Sequence, residues 1–241
     1  MSVSATSGRR FARRIWARRW SRLRTLVVLG LVLALVGAAG WVLLASSLLS
    51  VRSVQVTGAS RVTPAAVLAA ADVAPTTPLA RVDTDAVARR VGALVEVRAV
   101  SVSRQWPRSV RIVVHERAPA AVQRSGTSYL LVDSTGVAFD TVRKRPNGLP
   151  LVTAPAAAGE RAFRAALAVL VSVPEPVRRQ LLEVRAASPE QVTLTLTRNR
   201  TVMWGSPERG ERKAEVLTAL MSRRARVYDV SAPDAPTTRQ Q

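Results

Sequence analysis

The sequence contains no cysteine and only one histidine, His115, among its 241 residues. Without cysteine the chain cannot form a disulfide bond, use a thiol nucleophile or bind a metal through sulfur. One histidine is too few for a His-based metal site. We therefore predict no metal and no cofactor. The absence of thiols also fits a protein whose folded part lies in an extracytoplasmic space.

Acidic residues are scarce as well, since 16 Asp and Glu stand against 36 Lys and Arg, for a formal net charge of +20. An excess of this size is typical of nucleic-acid-binding proteins. Much of it, however, comes from the arginines between Arg9 and Arg24, a stretch without any acidic residue. A basic tail beside a membrane segment accounts for this cluster. We expect no nucleic-acid partner and no small-molecule substrate.

The chain has one long run without charge, from Thr25 to Leu49. About 25 residues at ~1.5 Å rise make a helix of nearly 40 Å, whereas the hydrocarbon core of a bilayer is ~30 Å thick. The preceding arginines favour a cytoplasmic N-terminus. We predict a single-pass type II protein of the plasma membrane, with residues 1–24 cytoplasmic and the chain from Ser50 onward extracytoplasmic. The alternative is a cleaved signal peptide, whose apolar region is usually shorter.

Residues 50–117 contain two types of periodicity in a fixed order. Val51 to Thr57 alternates apolar and polar residues, as a half-buried strand does. Helices are predicted after Thr63-Pro64 and after Asp83, because these residues are favourable helix starts. Two strands follow, at 97–104 and 110–116. The order β-α-α-β-β predicts a small sheet with two helices on one face.

This order, just after a single anchor, resembles the POTRA domain of the FtsQ/DivIB family of cell-division proteins. Three short motifs extend the resemblance: VQVTG at 54–58, RQWPRSV at 104–110 and VHERAPAA at 114–121. The resemblance implies an α+β fold. It consists of an N-terminal transmembrane helix (25–49), a POTRA domain (50–117) and a mixed, β-rich C-terminal domain (118–231).

From Ala118 onward the chain reads as short strands separated by turns. The LVDSTGV segment at 131–137 resembles a hairpin of the same family. A helix is predicted at 160–172, and a last helix is predicted to start with Ser206 as its N-cap. A closing strand follows at 227–230. Residues 232–241 are rich in Pro, Thr and Gln and are predicted to form a disordered tail.

The closing strand carries the candidate binding site. A final strand is expected at a sheet edge, where unpaired N–H and C=O groups can pair with a strand of a partner. In the FtsQ/DivIB family this region holds the small bitopic proteins FtsB and FtsL, so the resemblance implies the same here. The implied site residues are Lys213, Arg226, Val227, Tyr228, Asp229, Val230, Ser231 and Ala232. Ala232 departs from the family, which has an aromatic residue at that position.

A second candidate surface lies in and just after the POTRA domain. Trp106 either packs over its strand turn or contacts a partner. Glu116 and Arg117 either form a charged junction between the domains or contribute to recruitment. Trp106, Glu116 and Arg117 are therefore named as a candidate recruitment surface.

No catalytic arrangement is evident in the sequence. His115 follows Val114 on a predicted strand, and no Ser or acidic residue is placed to activate it. Ser206 and Lys213 would lie on one side of a helix, but Ser206 is better explained as an N-cap and Lys213 is expected to be exposed. We therefore predict that the chain is not an enzyme.

The resemblance implies a scaffold of the divisome. Such a protein links cytoplasmic and extracytoplasmic division proteins, captures FtsB and FtsL by strand addition, and so controls septal wall synthesis at the division septum. The alternative is a POTRA-containing module for polypeptide export or envelope assembly. A third interpretation, an extracytoplasmic enzyme acting on wall polymer, lacks a motif around the acidic residues.

Overall fold

The chain divides into two compact units, Met1–His115 and Glu116–Gln241. The computed structural model describes residue 24, residues 26–42 and residues 49–240. The predicted cytoplasmic tail therefore lies outside the described residues, apart from Arg24.

The uncharged run forms a helix, α1, over its described residues 26–42. Its apolar side chains are exposed, with Leu33 at 63% and Trp41 at 69%. Within the described ranges, none of the helices combines the length and the apolar character that crossing a membrane requires. The rest of the predicted anchor, Thr25 and residues 43–48, lies outside the described residues.

The remainder of the N-terminal unit has the predicted order β-α-α-β-β. Its elements are β1 (Ser53–Thr57), α2 (Pro64–Ala71), α3 (Thr84–Gly92), β2 (Val97–Gln105) and β3 (Ser109–Glu116). The strands lie in the order β1-β3-β2, and β1 runs parallel to β3. The two helices therefore connect strands that share one small sheet.

Local sequence starts both helices as expected. The Thr63 hydroxyl accepts a hydrogen bond from the Ala66 N–H at 3.2 Å, with Pro64 in the first helical turn. The Asp83 carboxylate accepts from the N–H groups of Asp85 and Ala86. Alternation on β3 then buries Val110, Ile112 and Val114 beneath the helices, where they join one apolar core.

The C-terminal unit is built on one nine-stranded sheet. Its strands are β4 (Ala121–Ser125), β5 (Ser128–Val132), β6 (Ala138–Val142), β7 (Leu151–Thr153), β8 (Leu181–Ser188), β9 (Gln191–Leu196), β10 (Arg200–Gly205), β11 (Val227–Asp229) and β12 (Thr237–Arg239). Its helices are α4 (Gly159–Ser172), α5 (Glu175–Arg178) and α6 (Gly210–Leu220). Across the sheet the order is β12-β11-β10-β9-β8-β7-β4-β5-β6.

The core of this unit lies between α4, α6 and one face of the sheet. Leu170 of α4 and Leu217 of α6 are buried with Val184 and Trp204 from the central strands. The strands alternate, so the side chains of Arg185 and its cross-strand partner Thr193 lie on the opposite, accessible face. One face of the sheet is thus covered by helices. The other face is accessible over β8 to β10, while at its β4–β6 end Val122, Leu131 and Phe139 form a second, smaller core.

Three parts of the C-terminal unit differ from the sequence predictions. Helix α5 was not predicted, because four residues are too short to show helical periodicity. The last helix begins at Gly210 rather than near Ser206. The segment predicted to be a disordered tail contains strand β12, which is stabilised by backbone pairing with β11.

Gly58 should be the least replaceable glycine of the N-terminal unit. Its φ is +81°, and an added Cβ would lie 2.2 Å from the carbonyl oxygen of Val114. We predict that Gly58→Ala lowers the free energy of unfolding by at least roughly 2 kcal/mol, measured by thermal unfolding of the detergent-solubilised chain.

Gly92→Ala is the matched control, because its Cβ would meet nothing within 4 Å and its φ is not positive. It should be neutral or stabilising by up to about 1 kcal/mol. Equal melting temperatures for Gly58→Ala and the wild type would contradict the prediction.

Candidate partner-binding edge of the C-terminal sheet

Strand β11 holds the centre of the predicted site. It runs parallel to β10, with Val202 opposite Tyr228 and Met203 opposite Asp229. Because strand side chains alternate, Tyr228 points into the core while Val227 and Asp229 lie on the accessible face. The predicted strand therefore exists, and two of its three side chains lie on the accessible face.

Tyr228 is a core residue that also fixes the approach to the strand. Its side chain is 1% exposed. Its hydroxyl donates to the Arg223 carbonyl at 2.9 Å and accepts from the Ala225 N–H at 3.3 Å. These two bonds hold the turn between α6 and β11. A binding role for the Tyr228 side chain would need the core to open.

The backbone of β11 is not a free edge, which corrects the sequence prediction. Strand β12 pairs antiparallel with it, with Tyr228 opposite Thr238. The Arg226 N–H donates to the Arg239 carbonyl at 3.1 Å, and the Gln240 side chain donates to the Arg224 carbonyl at 3.0 Å. Among the described residues, β12 and β6 are the two outer strands of this sheet.

The other predicted residues of the site follow β11. Val230 is fully buried, and its N–H donates to the Met203 carbonyl at 2.9 Å. Ser231 donates from both its N–H and its hydroxyl to the Asp229 carboxylate. Ala232 is exposed, whereas Pro233 is buried. The chain then turns back towards β12.

A charged pair ties this returning segment to the loop before α6. The Arg209 guanidinium donates two hydrogen bonds, both at 2.8 Å, to the two carboxylate oxygens of Asp234. These bonds lower the pKa of Asp234. The geometry is bidentate, which favours one orientation of the turn over others. Local sequence does not predict this pair, since the two residues lie in separate loops.

Lys213 is buried, not exposed as predicted. Its side chain is 2% exposed, and Nζ donates to the Ser206 carbonyl at 2.8 Å. Burial lowers the pKa of this ammonium group, and the nearby charge of Glu208 partly opposes the shift. Lys213 therefore braces the loop between β10 and α6. It does not present its charge to a partner.

Strand β6, at the opposite edge of the sheet, is poorly suited to pairing with an added strand. The Asp140 carboxylate accepts a hydrogen bond from the Thr141 N–H at 2.7 Å. That N–H is therefore not free for an incoming strand, and a carboxylate stands at the edge. Two basic residues, Arg143 and Lys144, follow β6 and are exposed.

A groove lies on the accessible face next to β11. Its volume is about 460 Å³, and its lining includes Arg185, Thr193, Met203, Gly205 and Ser231. Met203 is 42% exposed, so part of the groove surface is apolar. An added Cβ at Gly205 would lie 2.9 Å from the Ser231 Cβ, so the glycine lets the chain after β11 pass close by.

The three residues of the candidate recruitment surface differ in their settings. Trp106 is 53% exposed in the turn between β2 and β3. Glu116 is half-buried at the end of β3. Arg117 donates to the Asp133 carboxylate at 2.5 Å, within the C-terminal unit. His115 is exposed on β3.

Asp133 is one of the few buried charged groups. It is 3% exposed and accepts from Arg117, from the Thr135 hydroxyl and from the N–H groups of Thr135 and Val137. Burial alone would raise the pKa of this carboxyl, but the hydrogen bonds from Thr135, Arg117 and Val137 outweigh it and lower the pKa to about 2. The anion organises the hairpin between β5 and β6.

Comparison with known proteins places both units in one family. Residues 49–117 match the POTRA domain of FtsQ type, and residues 120–231 match the C-terminal domain of the cell division protein FtsQ/DivIB. Relatives called cell division protein FtsQ include one from Streptomyces bingchenggensis, 45% identical over 90% of this chain and 87% of the relative. Another, from Streptomyces coelicolor, is 39% identical over 90% and 88%. A third, from Mycolicibacterium smegmatis, is 38% identical over 90% and 65%.

Substitution of Tyr228 should lower the stability of the C-terminal unit, because the side chain is part of its core. Tyr228→Ala empties a fully buried site and should lower the free energy of unfolding by roughly 3–5 kcal/mol. Tyr228→Phe removes only the hydroxyl bonds and should cost about 1 kcal/mol. Urea unfolding followed by circular dichroism distinguishes the two. An unchanged unfolding curve for Tyr228→Ala would contradict a core role.

The Asp133 carboxylate should stabilise the C-terminal unit in a pH-dependent way. Because its folded pKa is depressed, its contribution is complete above the ordinary value of 3.8 and is lost as the pH falls through about 2. Asp133→Asn should cost about 2 kcal/mol at pH 7, and this difference from the wild type should shrink below pH 4.

Urea unfolding from pH 2 to pH 7 measures this difference. Glu160→Gln is the control, since Glu160 forms only an exposed pair with Arg164 and should cost under about 0.5 kcal/mol. A pH-independent difference for Asp133→Asn would show that the lost interaction is not that of the anion.

Proposed function

The chain belongs to the FtsQ/DivIB family of cell-division proteins, and from this membership we propose that it is a non-catalytic scaffold of the divisome. It binds partners and carries out no reaction. Its C-terminal sheet captures the bitopic proteins FtsB and FtsL by strand addition. The resulting complex controls septal wall synthesis.

The scaffold is attached to the plasma membrane by residues 25–49 and has type II topology. The uncharged run and the arginines that precede it support this proposal. Exposed apolar side chains along α1 also support it, because lipid is a suitable environment for them. The POTRA and C-terminal domains then lie outside the cytoplasm, and the protein concentrates at the division septum.

The observation that carries the binding proposal is the outer position of β12. Its partner-facing side has no neighbour among the described residues of the sheet, so its backbone can pair with an added strand. The other outer strand, β6, already uses the Thr141 N–H internally. We therefore propose that the partner strand is added at β12, and not at β11 as the sequence predicted.

Side chains beside this edge supply specificity. Arg226, just before β11, and Arg239, on β12, are exposed and favour acidic residues in the partner. The groove lined by Met203, Gly205 and Ser231 lies two strands further in, beyond the reach of side chains on an added strand. Tyr228 and Lys213 contribute only indirectly, by supporting the strand and the loop from the core.

Photo-crosslinking at the two outer strands tests the position of the partner. Thr237 on β12 and Thr141 on β6 are both exposed threonines, so a crosslinking amino acid at each makes a matched pair. In dividing cells of the native host, we expect adducts with FtsB or FtsL from position 237 and none from position 141.

A chain that ends at Ala235 lacks β12 and should lose most of this capture, with a circular dichroism spectrum close to that of the full chain. Adducts from position 141 alone, or full capture by the shortened chain, would contradict addition at β12. An N-terminal fluorescent fusion that stays evenly distributed through constriction would contradict the divisome role itself.

A further inference from the structure

Three segments of the N-terminal unit meet at one end of its sheet. Ser53 on β1 pairs with Ser109 on β3, and the Arg52 N–H donates to the Arg108 carbonyl at 2.8 Å. The Thr76 N–H donates to the Val51 carbonyl at 3.3 Å. We call this the tryptophan end, defined by residues 50–53, 74–77 and 105–109. It is also where the chain arrives from α1.

An exposed indole lies at this end. Trp106 is 53% exposed, with exposed Pro107 beside it. The core of the unit is aliphatic, and Trp106 is not part of it. A tryptophan combines an apolar ring with one N–H donor, a combination that suits the headgroup layer of a bilayer.

The strand segments on either side of this indole carry only positive charge. Residues 50–56 and 101–111 contain Arg52, Arg104, Arg108 and Arg111 and no acidic residue. Acidic residues lie on the helix layer, where Asp72 and Asp83 line a pocket with Ala74 and Thr77 and the Asp83 carboxylate is already engaged in capping α3. Exposed Arg52 lies just before β1, and its N–H bond to the Arg108 carbonyl places its backbone beside the turn that carries Trp106.

The length of the chain keeps this end near the proposed anchor. The proposed anchor ends at residue 49 and the tryptophan end begins at residue 50. Even with residues 43–49 outside the bilayer, seven residues span at most about 25 Å. If α1 belongs to a membrane anchor, the tryptophan end cannot lie far from the outer headgroups. The opposite end of the sheet, where Val95 is exposed before β2, is farther along the strands.

We propose that the tryptophan end rests on the headgroup layer of an anionic phospholipid bilayer, with Trp106 inserted and Arg52 and Arg108 facing lipid phosphates. This contact rests on the anchor of the proposed function and goes beyond it. A free tether would let the domain tumble, whereas a lipid contact at one end sets its orientation. Basic side chains near an anionic surface each add to such binding.

A depth measurement in nanodiscs tests the contact with the full chain. The chain has no cysteine, so Ala74→Cys and Val95→Cys each create a single labelling site, at the tryptophan end and at the opposite end. Each is labelled with an environment-sensitive fluorophore in discs of phosphatidylglycerol and phosphatidylcholine that contain a headgroup spin-label quencher. We expect at least threefold stronger quenching at position 74 than at position 95.

Trp106→Ala should at least halve the quenching at position 74. Leu68→Ala, which removes another exposed apolar side chain of the same unit, should leave it unchanged. Discs of phosphatidylcholine alone should also show weaker quenching, because the arginines then lack anionic partners.

Equal quenching at the two positions, or quenching that Trp106→Ala does not alter, would overturn the lipid contact. If Trp106→Ala instead weakens recruitment of another division protein in cells without changing the quenching, Trp106 recognises protein and the proposal is wrong. A chain that does not enter the discs at all would overturn the anchor, an outcome distinct from insertion without the contact.

Discussion

Backbone pairing at the margin of the nine-stranded sheet is the constraint on which the C-terminal unit depends. Each strand needs a neighbour for its N–H and C=O groups, and the short strand β12 provides one for β11. This pairing moves the open edge outward by one strand. It also protects the buried Tyr228 and the turn that its hydroxyl holds. The position of any added strand follows from this arrangement.

A few polar interactions between distant parts of the chain keep this margin in place. The bidentate pair of Arg209 and Asp234 connects the loop before α6 with the segment before β12. Lys213 bonds to the Ser206 carbonyl inside the same loop. These contacts hold the loops next to the edge and leave the outer backbone groups of β12 available for pairing. By ordering the margin, these contacts reduce the conformational entropy that would be lost if a strand were added there.

The candidate site was only partly predictable from the residues. The β11 segment is predictable because the run from Tyr228 to Ser231 resembles that of the FtsQ/DivIB family, and because Val and Tyr favour strands. The role of β12 was missed because Thr237–Arg239 follows two prolines in a polar segment, and a three-residue strand has no detectable period. Lys213 was placed on the surface because lysines are rarely buried, and its bond to a backbone carbonyl depends on a loop that local sequence does not define.

By itself, the sequence determined the order of elements in the N-terminal unit, the helix starts at Thr63 and Asp83, and the family to which both units belong, because these depend on local periodicity, capping residues and short motifs. The tertiary structure alone decided which strand forms the sheet margin, which charges are buried, and that Trp106 and Arg52 share one end of a sheet. These features depend on pairing between residues far apart in the chain, and such pairing leaves no local pattern.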